Sequence, residues 1–360
     1  MLLAISSYFN SDQEIPQNTA EELSVVFQVA QKHHMTALAA IALQLAGLGD
    51  EKYNTALAKA QRKAILQKHE YQIISDVLSK NAIPHLPLKG FCLSELYPYF
   101  WLREMSDIDF YIPASNYETL RAIMEENGYL CTLYGQGNED VYYKKPFFLI
   151  EMHRSLFDGE RFPNIQSYFK GRTYHTSENN PMQIEMTREE SYIYLTAHAY
   201  MHYSSAGTGL RTLMDTYLFL KKYAGSLNFD YVQNELKQIG IAEFEQMQRN
   251  LALKFLHPDL LNEAEASALD VYIFSGTYGT KSRYFKNKVT RWRNAHPEGT
   301  KQQYLKNRLL LTDDMLRFHP FYAKHPSLKP LLGIVRPIKA IITKPKDIFK
   351  ELSALKKLKK

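Results

Sequence analysis

The stretch Arg103-Glu104-Met105-Ser106-Asp107-Ile108-Asp109-Phe110-Tyr111-Ile112 sets carboxylates and apolar side chains at alternating positions. Successive side chains of an extended strand leave on opposite faces. Over Asp107 to Ile112 this places Asp107 and Asp109 on one face. Ile108, Phe110 and Ile112 take the other, where they can pack on a core. Two carboxylates on one face repel unless a divalent cation or a positive partner neutralises them. Phe147-Phe148-Leu149-Ile150-Glu151-Met152-His153 is an apolar run broken by one acid, which reads as a buried strand. A lone buried charge is costly. Set side by side, the two strands gather Asp107, Asp109 and Glu151 into one cluster, a seat for one or two magnesium ions. Glu151 could also act as a general base.

Other residues suit the surroundings of such a site. Lys89 and Arg103 could meet the oxygens of an anionic ligand, or simply balance the acids. Gly90 allows close backbone approach to a phosphate, or an ordinary turn. Ser94, one helical turn later, could reach the same phosphate, whereas Ser106 shapes the strand entry. His153 shares a strand face with Glu151 and could orient it, touch substrate or be structural. His198 and His202 stand four apart on one helix face, as zinc ligands can. Ala199 occupies the place of the glutamate that a zinc hydrolase motif needs, which sets that class aside. Arg211 and Asp215 are also four apart, and an intrahelical ion pair is the ordinary reading.

In this order, Leu88-Lys89-Gly90, Arg103, Asp107-Ile108-Asp109 and Glu151-Met152-His153 resemble the nucleotidyltransferases of the DNA polymerase beta superfamily. More narrowly, the chain is similar to a bacterial nucleotidyltransferase family that adds a helical region with H-x-x-x-H and an L-R-x-x-x-D helix. Here these read His198-Ala199-Tyr200-Met201-His202 and Leu210-Arg211-Thr212-Leu213-Met214-Asp215. The resemblance runs from about Ala20 to about Tyr223. It implies a magnesium-dependent transfer from a nucleoside triphosphate, with Asp107, Asp109 and Glu151 holding the metal. Lys89, Gly90, Ser94 and Arg103 would lie at the phosphates. His153, His198, His202, Arg211 and Asp215 would line the acceptor or base side. Where the superfamily has a Gly-Gly or Gly-Ser pair, this chain has Lys89-Gly90 followed by Phe91 and Cys92, so triphosphate cradling differs in detail.

The elements that must position these residues follow from periodicity and punctuation. Thr19-Ala20-Glu21-Glu22 forms a capping-box pattern, followed by helices to about Lys32, from Met35 to Leu48 and from Glu51 to Lys80. This helical layer should pack on or beside the catalytic unit. Strands are expected over Ile83–Leu88, Asp107–Ile112, Tyr129–Tyr134, Val141–Lys144 and Phe147–His153. Pro84 and Pro87 give the first an edge or irregular place. Phe91 to Leu96 is a short helix, and Ser115 can cap a helix over Asn116–Asn127. Helices are expected over Glu189–Met201, Leu210–Tyr223, Tyr231–Gln238, Ile241–Leu256 and Ala264–Phe274. Lys281 to Pro320, with Trp292 and Phe318, is basic and aromatic without clear organisation. The fold class is α+β: a polymerase beta-like core over 81–180, between helical regions 1–80 and 181–325, with a basic tail over 326–360.

The 360 residues, 45% hydrophobic and 23% charged, suit two or three globular domains. Two cysteines, Cys92 and Cys131, make no disulfide framework and fit a reducing cytoplasm. Met1 to Ser7 lacks a basic leader region, and no stretch approaches the roughly 20 apolar residues of a membrane span. Arg336 to Lys360 holds nine Lys or Arg and two acids, a net of +7 out of the chain's +6, which leaves −1 for the rest. A near-neutral body favours a small-molecule or protein acceptor over nucleic acid. In the tail, Ile348, Phe349, Leu352, Leu355 and Leu358 could form one helical stripe. It would bind an anionic membrane surface or an acidic partner, or stay solvated. A catalytically inactive nucleotide-binding or interaction protein on the same fold is the other class consistent with the sequence.

Overall fold

The computed structural model describes residues 1–10, 20–113, 117–309 and 320–357. The expected caps Thr19 and Ser115, together with Phe318 and Leu358, lie outside them. The chain divides into a larger unit, Met1–Met201 with Gly209–Thr277, and a smaller one, His202–Thr208 with Tyr278–Lys360.

The larger unit is built on one mixed sheet of β1 (Leu86–Pro87), β2 (Ile108–Tyr111), β3 (Leu130–Leu133), β4 (Glu139–Lys144) and β5 (Phe148–His153). The strand order is β1-β2-β5-β4-β3. β5 pairs parallel with β2 and antiparallel with β4. Parallel neighbours need a long crossover, supplied here by a helix over Tyr117–Glu126 and the β3–β4 hairpin. β1 is a two-residue edge strand, the place that Pro87, lacking an N–H, allows.

Helices α1 (Leu2–Asn10), α2 (Ala20–Lys32), α3 (Thr36–Leu45) and α4 (Glu51–Lys80) precede the sheet. Asp50 caps α4 by accepting the Tyr53 N–H at 3.0 Å. Ile74 and Leu78 of α4 pack on Ile108, Phe110, Ile150 and Met152, all fully buried. The Tyr71 ring stacks on Phe110 at 5.3 Å. This apolar contact fixes the strand faces, so Asp109 and Glu151 leave the sheet on the side away from α4.

α5 (Gly90–Ser94), α6 (Tyr117–Glu126) and α7 (Pro163–Phe169) come within the sheet region and just after it. A short hairpin, β6 (His175–Thr176) and β7 (Ile184–Glu185), follows. α8 (Arg188–Ser205) and α9 (Leu210–Tyr223) come next, then α10 (Phe229–Gln238), α11 (Ala242–Lys254) and α12 (Glu263–Ser275). A second core joins Leu88 and Leu93 beside β1 to Tyr192 and Ile193 of α8 and Phe219 and Leu220 of α9. It holds the Lys89-Gly90 turn against these two helices.

His33 ties three segments of this unit together. Its Nδ1 accepts the Leu210 N–H at 3.1 Å, and its Nε2–H donates to the Ile273 carbonyl at 3.2 Å. Burial, then the charge of Lys32, lowers its pKa to about 4. The folded pKa lies below the unfolded value of about 6.5. The stability from this neutral imidazole is therefore intact above pH 6.5 and lost as pH falls toward 4. In urea titrations, unfolding free energy should drop by up to about 2 kcal/mol between pH 6.5 and 5. His33→Asn should be less stable at neutral pH and show a flatter profile across that window. An unaltered slope in the variant would remove His33 as the cause.

The smaller unit contains α13 (Lys281–Ala295), α14 (Lys301–Leu309) and helices over Lys329–Thr343 and Pro345–Lys356. Val289, Tyr304 and Leu355 form its buried core, with Trp292 packed against it. Buried Glu351 receives bonds from Lys288 Nζ at 3.1 Å, Tyr304 OH at 2.7 Å and Arg308 Nε at 3.1 Å. Two expectations change here. The segment without clear organisation contains, among its described residues, the helices α13 and α14, and the expected tail stripe is split: Leu355 is core, whereas Phe349 and Leu352 are exposed. Glu351 turns the final helix toward its three donors, which draws Leu355 inward.

Candidate functional site

The parallel register sets Asp109 opposite Glu151 and Tyr111 opposite His153. Strand alternation then sends Asp109, Glu151 and His153 to the same face of the sheet. One donor atom from each of the three lies within 4.8 Å of the others. His153 Nε2–H donates to Asp109 Oδ1 at 3.2 Å, and the same nitrogen lies 3.7 Å from Glu151 Oε2. Its Nδ1 is 3.6 Å from Glu139 Oε2. Lys89 Nζ is 3.7 Å from Asp109 Oδ2 and donates to His198 Nε2 at 3.0 Å. The lysine therefore stands between a strand carboxylate and a helix imidazole.

The charges are unevenly held. Burial opposes ionisation of Asp109, but Lys89 and hydrogen bonds from His153 and Glu151 outweigh it and keep that carboxyl below the usual range. Burial, then the charges of Asp109 and Asp107, pushes the Glu151 carboxyl up to about 9. Asp107 is also raised, by burial and then by Asp109. The cluster thus retains a proton where a cation would supply the missing positive charge. Carboxylate oxygens are the donors a hard divalent ion takes, and they fit such an ion here. His153, already donating to Asp109, orients that acid. Binding of magnesium or manganese near pH 8 should accordingly release about one proton per site. Calorimetric enthalpies in two buffers of different ionisation heat would measure it. Apparent affinity should climb as pH rises toward 9; a pH-independent affinity would rule out displacement of the Glu151 proton.

The other sequence-derived residues are distributed as follows. Asp107 precedes β2 and, among the described residues, is not in the tight donor group. The expected trio is therefore spread: β2 begins at Ile108, and His153 stands in the group with Asp109 and Glu151. Asp107 remains within the electrostatic reach of Lys63, Lys89, Arg103 and Arg211. Arg103 is buried, with Nε and Nη2 each 2.9 Å from the Asp215 carboxylate and Nη1 3.4 Å from the Gly90 carbonyl. Tyr97 OH adds a 2.8 Å bond to Asp215. Arg211 donates instead to the Glu104 carbonyl. The ordinary i,i+4 pair is thus replaced by a long-range one, because Arg103 and Tyr97 occupy the Asp215 oxygens. With its fork so committed, Arg103 fixes the turn before β2 rather than presenting an open cation. Ser94 is buried and back-bonds to the Phe91 carbonyl at 2.7 Å. A Cβ on Gly90 would come within 3.0 Å of Met105 Sδ, so packing alone restricts that position. His198 lies at the cluster, whereas His202 belongs to the smaller unit.

Sequence reasoning missed Tyr194, Lys63 and Glu139. Tyr194 is buried one helical turn before His198, their rings 6.2 Å apart, and its hydroxyl is influenced by burial and then by Asp109. The signal was available: reading back four residues from His198 lands on the same face of α8. Lys63 Nζ donates to the Met105 carbonyl at 2.6 Å from the middle of α4, and nothing local in α4 marked it.

A strand pair carrying opposed acids, flanked by a lysine and a helix of Tyr and His, is an arrangement that could hold a divalent metal ion. Residues 19–257, about two thirds of the chain, match a family described as uncharacterised nucleotidyltransferase. The chain belongs to that family. No curated protein and no solved structure matches it.

Proposed function

We propose that the larger unit is a magnesium-dependent nucleotidyltransferase with a polymerase beta-like core. It would move a nucleoside monophosphate from a nucleoside triphosphate to an acceptor hydroxyl. The observation that carries this reading is the register of Asp109 against Glu151 on adjacent parallel strands, beside Lys89. The acceptor oxygen bonds to the α-phosphorus as the bond to the bridging oxygen breaks, and pyrophosphate leaves. Asp109 and Glu151, with Asp107 alongside, would hold magnesium, which would supply Lewis-acid charge neutralisation. His153 holds Asp109 in position. Lys89 offers its ammonium to phosphate oxygens. Glu151, once ionised, takes the acceptor's proton. The larger unit carries a net charge of −10, which disfavours a polyanionic acceptor and favours a small molecule or protein hydroxyl. Cys92 and Cys131 are both free thiols, and no described helix is long and apolar enough to cross a membrane. A cytoplasmic place is part of this proposal.

A binding protein without turnover is the second reading, favoured by the commitment of Arg103 to Asp215. Titrating each of the four nucleoside triphosphates with magnesium by calorimetry, and assaying pyrophosphate release separately, distinguishes the two. One nucleotide should bind, and release should appear when an acceptor is supplied. Binding with no release across hydroxyl acceptors supports the second reading, and no binding at millimolar nucleotide defeats both.

A further inference from the structure

The chain's charge is segregated between its two units. The smaller unit holds 21 Lys or Arg against 5 Asp or Glu, a net of +16. Against the chain's total of +6, the larger unit is left with −10. Of the smaller unit's acids, Asp347 is engaged by Lys281 at 2.6 Å, and Glu351 is buried beneath Lys288, Tyr304 and Arg308. Asp347 thus offsets Lys281 alone, and Glu351 faces inward, so neither offsets the other lysines at the surface.

The same unit carries an uncovered apolar face. On the helix over Lys329–Thr343, Leu331, Ile334, Val335, Ile338, Ile341 and Ile342 are all exposed, Ile342 by 73%. At about 100° per residue they fall within an arc of about 120°. Leu332, on another side, is buried, and Arg336 bonds to the Arg308 carbonyl at 2.7 Å. The helix therefore rests on its Leu332–Arg336 side and turns the aliphatic arc outward. Phe349, 75% exposed, and Leu352 extend apolar surface onto the next helix. Lys339, Lys344 and Lys346 are exposed along the same segment. An apolar surface of this extent marks a contact site.

Charge complementarity selects the occupant. A second copy docked symmetrically, this face against itself, would bring two +16 units together. Nucleic acid satisfies the charge but not six aliphatic side chains, because single strands are held by aromatic stacking and polar grooves. A basic amphipathic helix with a wide aliphatic face fits the boundary between anionic headgroups and acyl chains. No described helix is long and apolar enough to cross a membrane, so such a helix would lie in the surface rather than span it. We propose that the smaller unit docks this protein on an anionic membrane surface. The Leu331–Ile342 arc enters the acyl boundary, and the lysines meet headgroup phosphates. This rests on the smaller unit alone and stands whether or not the nucleotidyltransferase reading does.

The test is flotation of the full chain with phosphatidylcholine vesicles and with vesicles one third phosphatidylglycerol. Binding to the anionic vesicles should be at least about tenfold tighter and weaken with salt. Ile338→Glu/Ile342→Glu should lose at least about tenfold of it while keeping wild-type circular dichroism. Ile334→Ser/Ile341→Ser should lose less, and serves if the charged variant fails to fold. Absence of vesicle binding overturns the proposal. So does full binding by a well-folded Ile338→Glu/Ile342→Glu variant, which would make the contact a matter of charge alone. A dimer that this variant dissociates, without vesicle binding, would assign the face to self-association. Tight RNA or DNA binding insensitive to both variants, again without vesicle binding, would assign the charge to nucleic acid.

Discussion

Asp109→Asn should abolish metal-dependent nucleotide binding and lower transfer by at least about 100-fold. The substitution keeps the shape of the side chain and removes one negative charge from the face opposite α4. Lys89 loses its ion-pair partner at 3.7 Å, and His153 faces an amide instead of a carboxylate. A second readout separates a metal role from a structural one. The charge of Asp109 is, after burial, the main cause of the raised Glu151 pKa. Neutralising it should let Glu151 ionise at lower pH, and proton release on metal addition near pH 8 should shrink. Calorimetry with and without nucleotide, alongside pyrophosphate release, measures both. Wild-type metal-dependent binding in a folded Asp109→Asn protein would mean that the strand pair is not the metal seat.

Asp215→Ala should destabilise the larger unit by about 3–5 kcal/mol, because it strands a buried guanidinium. Arg103 would retain only the long contact to the Gly90 carbonyl, and Tyr97 would lose its acceptor. Bidentate pairs of this kind are strong when whole and costly when halved. Arg103→Met/Asp215→Leu, which removes both charges, should recover much of the loss. Urea denaturation of the three proteins measures this, and a loss under about 1 kcal/mol in Asp215→Ala would show that the pair is weakly coupled to folding. Since Arg103 leads into Asp107, nucleotide affinity should also fall in Asp215→Ala.

The parts of the fold legible in the sequence are those set by local periodicity. Alternation marked β2, and the apolar run broken by one acid marked β5 as a buried strand. The 3.6-residue pattern marked α4 and α9, whose spans Glu51–Lys80 and Leu210–Tyr223 agree with the expected ones. Proline at the first strand pointed to the edge. The parts that were not legible depend on distant partners. Arg211 and Asp215 look like an ion pair because i,i+4 is the only geometry one helix discloses. Arg103, 112 residues away, claims the aspartate instead. Likewise, His153 reads from sequence as a companion of Glu151, and only the register with β2 brings it against Asp109. The β6–β7 hairpin is too short to leave a period, and α1 has too few polar positions to show one.

The Arg103–Asp215 lock also sets a schedule for synthesis. When β2 and β5 have left the ribosome, all the acids of the site exist, but the residue that fixes Arg103 has not been made. At 5–20 residues per second, the 62 residues from the end of β5 at His153 to Asp215 correspond to a delay of roughly 3–12 s. During that interval the nascent sheet carries clustered carboxylates, and the Arg103 guanidinium lacks its counter-charge. Ribosome-bound chains stalled after α8 should therefore stay protease-sensitive around residues 95–110, and chains stalled well past α9 should become resistant. The site would mature as a late event of translation, governed by a helix that contributes none of its three tightly grouped donors.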